Sequence, residues 1–251
     1  MINESAEHRY WGFLSTLFFT LVIILIGYAF QVLLAIFYPE LWAQDIQSIA
    51  SKDLSTTQSV NGFIWAIIIC ITAVVYILLV VGFIKIRRNN IGVKNYLKLN
   101  NVPIMAVMQW LGLLFILVSV LSLISFFIGR PFVDKYFLSA YFSAKNQLLF
   151  WCSVALIGPI SEEVLFRGFL LEGLRQSKFG AVGAILISSF MWTIIHFQYD
   201  LYDLSQLFII GLLMGMGKIY TKSLYTPIAI HSLMNLGVLI NSAYYSRLVF
   251  H

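Results

Sequence analysis

Residues 148–171 read LLFWCSVALIGPISEEVLFRGFLL. The run has the length of a membrane span, about 20 residues at a rise of about 1.5 Å across a hydrocarbon core of about 30 Å. Yet it carries Ser161, Glu162, Glu163 and Arg167. A charge at mid-bilayer costs at least about 2.5–3.5 kcal/mol, so such a run is either not a span or the seat of a function. The rest of the chain decides between the two. Apolar runs of similar length fall at 11–38, 63–84, 102–128, 181–197, 204–219 and 227–241, which makes seven candidate helices with 148–171 among them.

Composition agrees. Of 251 residues, 60% are apolar and 11% charged, and the mean hydropathy is +0.88, whereas a soluble domain is about half apolar and a quarter charged. The reading is an all-α polytopic transmembrane bundle of about seven spans, one integral membrane domain over 1–251 in contact with membrane lipids. Disorder, collagen and a secreted disulfide scaffold are excluded. Cys70 and Cys152 both lie in apolar runs without a CxxC spacing, which suits packing and not a disulfide or zinc ribbon. The first run is too long for a signal-peptide core and lacks a small-residue cleavage site, so it is expected to remain as a span. The polar stretches 39–62 and 130–147 are expected to be external loops with short surface helices.

The net charge of +5 points to no nucleic acid, because the basic residues separate apolar runs and form no aromatic-interleaved patch. They read as topology signals. With the N-terminus in the cytoplasm, inner segments hold Arg9, Lys85, Arg87, Arg88, Lys94, Lys98, Arg175, Lys178, Lys218 and Lys222, ten residues. Outer segments hold five: Lys52, Arg130, Lys135, Lys145 and Arg247. The bias predicts N-terminus in and C-terminus out.

Helical spacing sorts the polar cluster. Glu163 stands four residues before Arg167, on one face and in the favourable acid-before-base order. Glu162 points about 100° away and finds no partner on its own helix. Gly158-Pro159 predicts a break that starts a fresh helix, whose dipole favours the carboxylates that follow. Further along lie His196, at the end of the fifth run, and His231 with Asn235, four apart on the seventh. At about 1.5 Å per residue from the inner boundary, Glu162, His196 and His231 lie roughly 18, 22 and 13 Å deep, near mid-membrane. One watered cavity lined by all of them has a base, a proton shuttle and oxyanion donors, the parts for hydrolysis by water.

Glu162-Glu163-x-x-x-Arg167, Trp192-x-x-x-His196 and His231-x-x-x-Asn235, in that order on successive late spans, resemble the CPBP intramembrane proteases, the CAAX-protease and bacteriocin-processing or Abi family. The likeness covers about 148–241, the catalytic core, with Trp192 where the family more often has phenylalanine. It implies a glutamate-type intramembrane endopeptidase of a prokaryotic plasma membrane, acting on a peptide or a prenylated, membrane-associated protein. By the same resemblance Glu162 is the general base and activates water with His196, His231 and Asn235 hold the oxyanion, and Glu163 and Arg167 support them structurally. No cofactor is implied.

Other readings stand beside this one. Glu162 and Glu163 also suit a structural ion network, His196 an interfacial helix end, and His231 with Asn235 helix-helix hydrogen bonding. His8 and His251, in the polar tails, carry no role. HExxH and GxGD motifs are absent, but Glu162, His196 and His231, with Glu163, are able by ligand type to hold zinc. A non-catalytic binding, immunity or signalling protein would use the same groups for recognition. A transporter lacks support, since no broken helices recur in two halves.

Overall fold

The computed structural model describes residues 11–37, 61–86, 91–131, 133 and 135–250. Most of the 39–62 stretch lies outside them, as do Arg9, Lys52, Arg87 and Arg88 of the charge bias, and His8 and His251. Among the described residues all regular structure is helical: α1 Phe13–Phe37, α2 Gly62–Ile86, α3 Gly92–Leu97, α4 Ile104–Phe127, α5 Lys135–Ser143, α6 Gln147–Arg175, α7 Gly180–Ile194, α8 Leu201–Thr221 and α9 Tyr225–Phe250. Seven of them follow the seven apolar runs.

Five of the seven, α1, α2, α4, α6 and α8, are long and apolar enough to cross a membrane. Of the other two, α7 is short at 15 residues, and α9 is long but interrupts its aliphatic positions with His231, Asn235 and Asn241. Large apolar side chains such as Phe18, Leu78, Phe115 and Val182 stand exposed around the bundle. Bare apolar area of this extent suits lipid and not water. The chain is an integral membrane protein built as a helical bundle.

The central helix is α6. Half of its spanning window is buried, against 17–28% for α1, α2 and α4. It packs on α2, α7 and α9, and its Leu165, Phe166, Phe169 and Leu170 join Trp192 of α7 and Met214 of α8 in the main core. A second core lies at its other end, where Phe137, Ala140 and Tyr141 of α5 bury against Ala66, Phe150 and Leu239. The short helix expected between the third and fourth spans is present as α5. α5 is amphipathic and docks one face so closely that a Cβ on Gly62 would lie 1.8 Å from the Ala140 carbonyl oxygen.

One expectation is corrected at Gly158-Pro159. The helix does not restart there but runs on through two wide π turns, Ser153–Ile157 and Val164–Leu170, on either side of an α-helical Gly158–Glu163. Proline's missing N–H is absorbed inside the helix by the wider turn, so no free helix end and no dipole terminus face the carboxylates.

Candidate active site

The π turn before Pro159 exposes a backbone acceptor. The Gly158 N–H reaches Ser153 O, five residues back, and Pro159 has no N–H to offer, so the Val154 carbonyl is left without a donor from its own helix. Asn235 of α9 supplies it, its Nδ2 donating to Val154 O at 2.8 Å. A sequence feature of α6 thereby fixes the α9 amide, and with it the face of α9 turned to the glutamates.

The two glutamates point to different surroundings. Glu163 is fully buried, accepts from Arg167 Nη1 at 3.0 Å, and with the same Oε1 meets His231 Nδ1 at 2.9 Å. Arg167, equally buried, also donates through Nη2 to Gly211 O of α8 at 3.1 Å and lies over the Trp192 ring at 5.0 Å. Glu162 stays partly open, its side chain 23% exposed. Its Oε2 accepts from Trp192 Nε1 at 2.6 Å and stands 4.0 Å from His231 Nε2.

Hydrogen-bond chemistry assigns the imidazole protons. His196 Nδ1 lies 2.9 Å from the Trp192 carbonyl oxygen, which only accepts, so Nδ1 carries the proton and Nε2 keeps its lone pair. His231 Nδ1 likewise donates to the Glu163 carboxylate.

Glu162, His196, His231 and Asn235 all line one cavity of about 760 Å³. Its polar end includes Ser161 and Trp192; its flank is apolar, with Leu111, Leu114, Phe115, Val118 and Leu121 of α4. Near the mouth Arg130, following α4, pairs with Asp200, the N-cap of α8. The Asp203 backbone N–H and then Arg130 hold the Asp200 carboxyl below its usual range. Among the described residues no three His, Cys, Asp or Glu side chains converge as ligands of one ion would.

Some contributors escaped the sequence reading. Tyr28 of α1 donates to Ile195 O at 2.8 Å, beside His196, and Tyr76 of α2 also lines the cavity. Both tyrosines are hydrophobic by composition, and only their hydroxyls in an apolar run could have signalled a role. The Trp192 N–H was invisible for the same reason.

The comparisons with known proteins fall on this same region. Residues 144–237 match the family model described as "Type II CAAX prenyl endopeptidase Rce1-like". The core resembles that family over this stretch. The matched stretch runs from α6 to the middle of α9 and contains Glu162, Glu163, Arg167, Trp192, His196, His231 and Asn235. An Escherichia coli relative described as an "Uncharacterized 24.3 kDa protein" is 31% identical over 106 residues, 41% of this chain and 48% of that protein. The chain thus spans about half the length of the curated relative it matches. No solved structure matches it.

Proposed function

We propose that this chain is an intramembrane endopeptidase in which Glu162 and His196 activate a water. The observation that carries the reading is the single cavity into which Glu162, His196, His231 and Asn235 all open. Glu162 takes a proton from the water as its oxygen adds to the scissile carbonyl carbon, with the His196 Nε2 lone pair as second acceptor. The carbonyl oxygen becomes an oxyanion held by His231 and by the Asn235 amide, one N–H of which is already committed to Val154. Collapse breaks the C–N bond, the proton held by Glu162 passes to the leaving nitrogen, and the products are a carboxylic acid and an amine. Glu163, paired with Arg167, keeps His231 aimed through its Nδ1 contact.

The apolar α4 flank suits a substrate with a greasy or lipid-bearing segment beside the cleaved bond, such as a prenylated or membrane-anchored protein. The protein works as a single domain, in our reading in a prokaryotic plasma membrane, N-terminus in the cytoplasm. Comparative peptidomics of cells carrying the intact chain or Glu162→Ala tests this. Peptides ending at a common site should vanish in the variant; identical peptidomes, or immunity and signalling retained without Glu162, would favour a binding protein.

A further inference from the structure

Trp192, which is not ionisable, contacts Glu162, His196, Arg167 and His231. Trp192 is fully buried. Its indole N–H donates to Glu162 Oε2 at 2.6 Å, its backbone carbonyl takes the His196 Nδ1 proton at 2.9 Å, and its ring meets the Arg167 guanidinium face-on at 5.0 Å. The His196 and His231 rings approach it edge-on, centroids 5.1 and 5.2 Å away. Room for this ring comes from α8: a Cβ on Gly211 would stand 3.3 Å from Trp192 Cε3.

We infer that Trp192 is a positioning residue for the reaction, its N–H fixing one oxygen of Glu162 so that the other is turned to the water. This inference rests on the endopeptidase reading above. Carboxylate torsions are broad and roughly two-fold, so a glutamate that is 23% exposed and unpaired on its own helix would sample many orientations. Oε2 is committed to the indole, and among the described residues no side chain donates to Oε1. A charge-assisted bond of this kind defines the plane of the carboxylate, and a general base must stand within hydrogen-bond reach of the proton it removes. Phenylalanine would fill the same space and donate nothing. The His196 contact differs in kind, because it uses the backbone and survives any side-chain change.

The test separates the N–H from the ring. Site-specific replacement of Trp192 by 3-benzothienylalanine keeps the bicyclic shape and puts sulfur where the N–H stood. With a quenched fluorescent farnesylated CAAX peptide as probe, kcat should fall about ten- to a hundredfold, the size of a lost bond to a charged group, with KM within about twofold. A structural role alone would change thermal stability and leave kcat of the folded protein intact. Independently of any substrate, the Trp192 indole resonance in ¹⁵N-labelled protein, assigned through Trp192→Phe, should move upfield in Glu162→Ala. An isostere at full kcat while Glu162→Gln is inactive overturns the inference and leaves the endopeptidase reading standing, as does an indole signal that ignores Glu162. Activity persisting in Glu162→Gln overturns both.

Discussion

Replacing Glu163 by glutamine would remove one negative charge from the most enclosed part of the molecule while leaving its shape. Both side chains of the Glu163–Arg167 pair are fully buried, so no solvent screens the loss. Breaking a buried pair by removing one partner costs about 3–5 kcal/mol, because the remaining charge stays desolvated without a counter-charge. The glutamine oxygen still accepts from Nη1, and Nη2 keeps Gly211 O, so the expected loss lies near the low end, about 3 kcal/mol or somewhat over a hundredfold in the unfolding equilibrium. Removing both charges should cost less. Glu163 Oε2 and Arg167 Nε have no partner among the described residues, so Glu163→Leu with Arg167→Met relieves two incompletely satisfied ions and should recover most of the stability. It should not recover activity, since His231 Nδ1 then has no carboxylate to hold it. Equilibrium unfolding in mixed micelles reads the first effect and peptide hydrolysis the second. A single variant within about 0.5 kcal/mol of the parent, or a double variant that hydrolyses normally, would refute the reasoning.

Asn235→Ala should lower kcat about 10²- to 10³-fold, the usual loss for one oxyanion donor, while the freed Val154 carbonyl costs only about 1 kcal/mol of stability; unchanged kcat would remove Asn235 from the chemistry. Purified protein should keep its activity through dialysis against a strong chelator, and activity lost there and restored by one equivalent of zinc would recast the same side chains as ligands. The Asp200 carboxyl is held below its usual range, so it stabilises the fold at neutral pH and loses that contribution as pH falls through its lowered value. The stability difference between the parent and Asp200→Asn should therefore shrink below about pH 4, and a difference growing toward acid would contradict the Asp203 and Arg130 contacts. Reporter fusions should place the N-terminus in the cytoplasm and the end of α9 outside; the opposite pattern would defeat the reading of the basic bias.

The helices were legible because a membrane leaves the backbone few options: an apolar run of spanning length has to form helix. What the runs hid was their interior. Pro159 reads as a break by local rules, yet a π turn absorbs it, and that choice depends on Asn235, some eighty residues later, meeting the orphaned Val154 carbonyl. Spacing paired Glu163 with Arg167 because both sit on one helix, whereas the contacts of Glu162 with Trp192 and of Glu163 with His231 join different helices. Periodicity carries no information about which helices become neighbours. The ionisable groups of the site announced themselves by being costly in lipid. The Trp192 indole and the Tyr28 hydroxyl did not, because amphipathic aromatics are ordinary in an apolar run and become polar contacts only once a partner faces them.

Turnover of Glu162→Gln, purified and reconstituted in liposomes beside the parent protein, tests the central claim most directly. The amide keeps the size of the side chain and its bond from Trp192, but it cannot take a proton from water. A general base contributes about 10²- to 10⁴-fold, so hydrolysis should fall by at least a hundredfold in a protein that unfolds at nearly the parent temperature. Near-normal turnover in that variant would contradict the account.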